Sequence, residues 1–151
     1  MMMKPPPKDQ ALQLDNQLCF ALYSASLAMT KLYKPVLAPL GLTYPQYLVM
    51  LVLWERDGLM VSEIGERLFL DSGTLTPLLK RLEAAGMIGR SRAENDERRV
   101  LVHLSAAGRA MKQRAAKVPA RLTKAIQCTL PELKSLTQQM QALRQRLAAP
   151  E

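Results

Sequence analysis

The stretch "VSEIGERLFLDSGTLTPLLKRLEAAGMIGR", Val61 to Arg90, reads as two short helices joined by a tight turn. Ser62 is a candidate cap for the first and Asp71 or Ser72 for the second, because short oxygen-bearing side chains satisfy the free N–H groups of a first helical turn. Leu75, Leu78, Leu79, Leu82 and Ala85 follow helical spacing and form the inward face of the second helix, while Gly86 is placed to end it in the left-handed conformation. This is a helix-turn-helix unit. Its second helix presents N-terminal side chains to base edges in a major groove.

Working outward, Val100, Val102 and Leu104 alternate with Leu101 and His103 as a strand, and Met87 to Ser91 is its partner across "RAENDER". A small β-wing is expected. Upstream, "GLTYPQYLVMLVLWERDG" predicts a helix with Thr43 as cap, Pro45 in the first turn and Gly58 as a stop. Before it, Leu18, Leu22, Ala25, Met29, Leu32 and Val36 form the seam of a helix that begins near Leu12 and ends by Pro35 to Pro39. Two more seams follow the wing: Met111, Ala115, Val118, Leu122 and Ala125, with a kink expected at Pro119, then Leu133, Leu136, Met140, Leu143 and Leu147. Thr129 and Pro131 open the last helix. Stripes this apolar at both ends of the chain do not stand alone, so a homodimer built from them is expected.

The fold class is therefore mostly α with a small β-wing, a winged helix-turn-helix dimerised through its N- and C-terminal helices. The 151 residues suit one domain. Residues 1–10, with three consecutive prolines, are expected to be a mobile arm; 11–40 and 105–150 supply dimerisation helices; 41–104 form the DNA-binding lobe. The longest apolar run is too short to span a bilayer and the N-terminus lacks a secretory signal, which points to a cytosolic protein without a membrane partner. There is no phosphate-binding glycine loop, no internal repeat and no metal-ligand spacing around His103, the sole histidine. No cofactor is expected.

Formal charge is +8, and it is localised. Lys80 to Arg121 holds eleven Lys or Arg against four Asp or Glu, whereas Gly41 to Leu79 holds two against five. Such clustering suits double-stranded DNA better than an acidic metabolite. Within "LDSGTLTPLLKRL", Ser72, Thr74 and Thr76 offer hydroxyls, Gly73 permits close approach, and Pro77 offers an apolar contact to a thymine methyl. Lys80 and Arg81 suit phosphates or a guanine edge. At the wing tip, Arg98 and Arg99 suit the narrow minor groove, with Asp96 placed to pin an arginine by an ion pair.

The run "DSGTLTPLLKRLEAAGMIGR", followed by "DERRVLVHLSAAGR", resembles the MarR family of winged-helix regulators over nearly the whole chain. The opening "LDNQLCFALYS", with "KLYKP" and "LTYPQYLVMLVLWE", is similar to the organic hydroperoxide sensing (OhrR) branch, and the distal Cys128 to its two-cysteine type. The resemblance implies a dimeric operator-binding repressor that is released when an N-terminal cysteine is oxidised by an organic hydroperoxide. It implies further that Tyr33 and Tyr44 donate hydrogen bonds to that cysteine across the dimer, and that Cys19 and Cys128 form an intersubunit disulfide.

The residues themselves bear on the same chemistry. Cys19 and Cys128 are too far apart in sequence for a CxxC motif, and read either as inert buried side chains or as a redox couple. Only a thiolate attacks peroxide, so Cys19 as a sensor needs donors. A helix starting near Asp15 or Asn16 puts Cys19 in its first turn, where the dipole favours an anion, although Asp15 opposes it; a start near Leu12 removes most of that benefit. Tyr23, Ser26, Thr30 and Tyr33 continue from Cys19 as a polar stripe. Fourteen residues of helix rise about 21 Å, so Tyr33 reaches a Cys19 only across a partner helix. Tyr23 and Tyr47 are further candidates to support the thiolate.

Two rival functions share parts of this pattern. A thiol peroxidase uses the same chemistry but needs neither a helix-turn-helix nor a basic segment, so a non-enzymatic sensor is the expectation. A regulator released by an aromatic ligand, with both cysteines structural, would use Tyr33, Tyr44, Tyr47 and Trp54 as pocket lining.

Overall fold

The structure is a computed structural model, and it describes residues 8–149 except Glu94 and Asn95, without the side chains of Lys8 and residues 93–98. The chain opens with a single turn, α1 (Lys8–Ala11), then a 3-10 turn at Leu14–Asn16, before the long α2 (Leu18–Leu37). The single helix expected from Leu12 is thus interrupted. Its cause is local: Asn16 donates its amide to Gln10 O at 2.8 Å, and Gln17 donates to Ala11 O at 2.7 Å and Gln13 O at 2.9 Å. These side chains occupy carbonyls and hold Gln17 extended, so α2 begins one residue before Cys19. Of the arm expected over residues 1–10, residues 1–7 lie outside the described residues, and Lys8 to Gln10 belong to α1.

After α2, a 3-10 turn (Ala38–Leu40) and Gly41 at φ 67° lead to α3 (Tyr44–Glu55). Thr43 caps α3 in a reciprocal box, accepting from Gln46 N at 3.3 Å while its own N–H donates to Gln46 Oε1 at 3.0 Å. Helix α3 stops at Glu55, before Gly58. Gly58, at φ 74°, instead turns the chain into β1 (Leu59–Met60), a strand absent from the expectation. It pairs antiparallel with Val102 and Leu101, giving a three-stranded sheet of order β1-β3-β2.

That pairing also corrects the first cap. Met60 remains extended in β1, so α4 (Val61–Leu68) starts with Ser62 already inside it; Met60 N–H donates to Glu63 Oε1 at 3.0 Å. The second cap holds: Asp71 accepts from Thr74 N at 2.7 Å at the start of α5 (Ser72–Ala84). Gly86 (φ 79°) closes α5, its N–H bonded to Glu83 O and the Met87 N–H to Leu82 O, both at 3.0 Å. Ala85 caps the helix in an exposed position and does not join the inward face.

The wing consists of β2 (Ile88–Ala93) and β3 (Asp96–Leu104), antiparallel, with a register shift between Arg92 and Ala93. Then come α6 (Ala106–Ala115), α7 (Val118–Ile126) and α8 (Leu130–Ala148). Where a kink was expected at Pro119, the helix breaks at Ala116 and Lys117, and Pro119 takes the first turn of α7. Thr129 caps α8, accepting from Glu132 N at 3.2 Å.

The core lies in the lobe: Leu37, Val49, Met50, Leu53, Ile64, Leu75, Leu79, Leu82 and Val102 are each at most 1% exposed. Gly108 shows how tightly the lobe closes, since a Cβ there would overlap the Met87 carbonyl oxygen. The terminal helices are bare by comparison. Helix α2 buries only Leu37, and α8 buries none of its described residues. Ala125, expected in a seam, is exposed. No single helix among the described residues is long and apolar enough to cross a membrane.

Candidate DNA interface and thiol site

Helix α5 divides cleanly. Leu75, Leu78, Leu79 and Leu82 face the core, while Ser72, Gly73, Thr74, Pro77, Lys80 and Arg81 are exposed and Thr76 is half-buried. Hydroxyls, a small residue and two cations therefore share one outward face. Hydrogen bonding from the Thr74 backbone N–H holds the Asp71 carboxyl below its ordinary range, so the helix start stays capped by an anion.

A groove of about 350 Å³ runs between α5 and the base of the wing, bringing Ser72 and Thr76 together with Ser62, Arg90 and Arg99. Sequence reading put Arg98 and Arg99 at the wing tip. Both lie within β3, and Arg99 lines this groove. Pairing of Ala93 with Asp96 starts β3 before Arg98 and Arg99, which places both in the strand. The side chains of Asp96 and Arg98, and hence their expected pairing, lie outside the described residues.

Two supports of this surface had no sequence signal. Arg90 on β2 pairs with Glu83 on α5 at 3.0 Å, and its hydrogen bond holds the Glu83 carboxyl below the usual range. Helix α5 and the wing are thereby tied. Asp57 accepts from Leu104 N at 2.8 Å and Gly58 N at 2.9 Å, and pairs with Arg109 at 3.3 Å, so one carboxylate joins the β1 turn, the end of β3 and α6. Trp54 adds a hydrogen bond from its indole N–H to Gly108 O at 3.0 Å. The contacts of Asp57 with Leu104 and Arg109 and of Trp54 with Gly108 span 47 to 54 residues of sequence, beyond any local pattern.

Cys19 is the second residue of α2, and its side chain is exposed. Gln17 provides no side-chain cap, which leaves the first-turn N–H groups facing the thiol's end of the helix. Cys128 is half-buried in the link between α7 and α8, beside Gln127 at φ 61°, and both cysteines are free.

Tyr33, further along α2, stacks with Tyr44 of α3 at a centroid distance of 4.4 Å and lies 5.9 Å from Tyr47. Burial pushes the Tyr33 hydroxyl well above the ordinary phenol range, with Tyr44 and Tyr47 adding to the shift, and burial also raises Tyr44. Both hydroxyls therefore remain proton donors at neutral pH. Tyr23 stands apart, 64% exposed and one turn after Cys19. The residues expected to support the thiolate thus split into a half-buried pair, Tyr33 and Tyr44, with Tyr47 buried behind it, and an exposed neighbour, Tyr23. Of the aromatics weighed as ligand lining, Tyr47 and Trp54 edge a hollow of about 360 Å³ with Lys112 and Pro119; Tyr33 and Tyr44 do not.

The sequence pattern of the family described as transcriptional regulator SarA/Rot matches residues 31–115. The chain is also 55% identical over 108 residues to the organic hydroperoxide resistance transcriptional regulator of Bacillus subtilis, covering 72% of this chain and 74% of that one. The chain belongs to the MarR/SarA-type winged-helix regulators. As a member it is a DNA-binding transcriptional regulator. The fold of this MarR/SarA-type chain is similar to reduced AbfR bound to DNA, from Staphylococcus epidermidis, with TM-score 0.78, 33% identity and 93% and 96% of the two chains covered. Against the disulfide form of AbfR the TM-score is 0.60, with 36% identity and 90% and 96% covered.

Proposed function

We propose that this regulator is a homodimeric repressor that senses organic hydroperoxides through Cys19 and releases its operator on oxidation. The observation that carries the reading is the position of Cys19: exposed, in the first turn of α2, with Tyr33 towards the far end of the same helix and paired there with Tyr44 of α3. Fourteen helical residues separate Cys19 from Tyr33, about 21 Å of rise, so the donors serve the thiolate of a second copy. Dimerisation through residues 11–40 and 105–150 brings them together. The bare stripes support it: Leu22 and Met29 of α2 face Leu133, Leu136, Met140 and Leu143 of α8 across an open hollow of about 760 Å³. Apolar surface on that scale is stable when a second chain fills it.

The chemistry uses two steps. The Cys19 thiolate attacks the terminal peroxide oxygen, the O–O bond breaks, and the alkoxide leaves as an alcohol after taking a proton, giving a sulfenic acid. The Cys128 thiol of the second copy then displaces hydroxide from that sulfur, yielding an intersubunit disulfide and water. Relatives lend support, since AbfR exists in both reduced DNA-bound and disulfide forms, and this chain with its two free thiols superposes better on the reduced one.

In DNA binding, Ser72, Gly73, Thr74, Thr76 and Pro77 meet base edges, Lys80, Arg81 and Arg99 meet phosphates or the minor groove, and Arg98, supported by Asp96, extends the wing contact. Titrating the operator complex with cumene hydroperoxide tests the function. Wild-type protein is expected to dissociate at about one oxidant per subunit, and Cys19→Ser to stay bound; release of Cys19→Ser by peroxide would refute it.

A further inference from the structure

Arg144, near the C-terminal end of α8, lies over the ring of Phe69, its guanidinium carbon 4.3 Å from the centroid. Phe69 is the turn residue between α4 and α5. It adopts φ 59°, left-handed and unfavourable for a bulky side chain, and it is 65% exposed. Neither backbone preference nor core burial accounts for an aromatic residue here; the stack with Arg144 does.

We propose that Arg144 and Phe69 are positioning residues for operator binding: their stack fastens the end of α8 to the helix-turn-helix turn, so the placement of α8 sets the placement of the recognition helix. The turn transmits such a displacement because it has no slack. Leu70 N–H bonds to Gly65 O at 3.0 Å, and a Cβ on Gly65 would stand 2.8 Å from Leu70 O, so helix α4 and the turn touch backbone to backbone. Asp71, two residues after Phe69, caps α5. At its other end α8 begins at Leu130, two residues after Cys128, and the fourteen helical steps from Leu130 to Arg144 rise about 21 Å. Helix α8 buries none of its described residues, so it is held by edge contacts of this kind and can shift as a rod. This last link, from Cys128 to DNA release, rests on the peroxide-sensing reading; the stack's role in the reduced protein does not.

The test is a double-mutant cycle on the full chain under reducing conditions, with a duplex selected from random sequence by the wild-type protein. Arg144→Ala and Phe69→Gly are each expected to weaken binding roughly 2- to 5-fold, the double variant no further, and Arg144→Lys to recover most of the loss. Glycine accepts the left-handed turn without strain, so Phe69→Gly keeps the fold while deleting the ring. The dependence of affinity on salt should not change slope, because Arg144 neutralises no phosphate. Unchanged affinity, additive losses, or a slope reduced by about one would each overturn the proposal. With cumene hydroperoxide added, Arg144→Ala should show a smaller ratio of reduced to oxidised affinity than wild type; an equal ratio overturns the transmission from α8. If the wild type itself fails to release, the peroxide-sensing reading falls, while the reduced-protein cycle still decides the role of the stack.

Discussion

Tyr33 of α2 and Tyr44 of α3 stack 4.4 Å apart with planes inclined by 35°, and burial keeps both hydroxyls protonated. A pair of neutral donors is thus built into the junction between α2 and α3, at the opposite end of α2 from the thiol on its own chain.

Removing one donor tests the use of that pair. Tyr33→Phe retains the ring contact and the fold but loses a hydrogen bond to an anion. Peroxide oxidation of Cys19, followed by stopped-flow release of labelled operator, should slow roughly tenfold while reduced-state affinity stays unchanged. An unaltered rate would remove Tyr33 from the sensing site.

The same burial gives a pH signature. A tyrosine whose folded pKa lies above its unfolded value contributes stability that is intact below the unfolded pKa and is lost as pH rises from there through the folded one. For Tyr33 and Tyr44 that loss begins near pH 10, the ordinary value. Urea midpoints should therefore fall between pH 9 and pH 11 more steeply for wild type than for Tyr33→Phe; parallel declines would contradict the assignment.

How far the sequence anticipated this molecule depended on distance along the chain. Thr43, Asp71, Thr129 and Gly86 perform jobs settled within three residues, by hydrogen bonds or backbone conformation, and each takes its expected role. Ser62 fails as a cap because a strand of two residues, paired with partners some forty residues later, keeps Met60 extended. Asp57 and Arg90 left no local pattern, since a carboxylate accepting from Leu104 N or a guanidinium reaching Glu83 follows from tertiary packing. The start of α2 was decided by Asn16 and Gln17 turning back onto carbonyls, a competition that periodicity does not register. For the site, α5 was legible because its two faces differ in chemistry. Pairing Cys19 with tyrosines was legible only as a constraint on reach.

Packing at the junction of lobe and α6 gives a stability test. Gly108→Ala places a methyl against the Met87 carbonyl oxygen, and a loss of about 1–3 kcal/mol is expected in urea unfolding. Wild-type stability in this variant would mean that the wing and α6 are not held this closely.

Charge on the recognition helix has its own readout. Lys80→Ala should weaken binding to all duplexes alike and lower the slope of log K against log salt by about one per subunit, as expected for a phosphate contact. Thr76→Ala should instead change preference at one base position and leave the slope intact. Exchange of these two behaviours would reverse the assigned contacts.

The claim that a working sensor exists only between two chains is tested most directly by mixing variants. In a heterodimer of Cys19→Ser with Tyr33→Phe, the one remaining Cys19 faces an intact Tyr33 on the other chain. Its oxidation by cumene hydroperoxide, measured by mass spectrometry at short times, should proceed at the wild-type rate per thiol. A rate equal to that of the Tyr33→Phe homodimer would contradict the account, because Tyr33 would then act on the cysteine of its own chain.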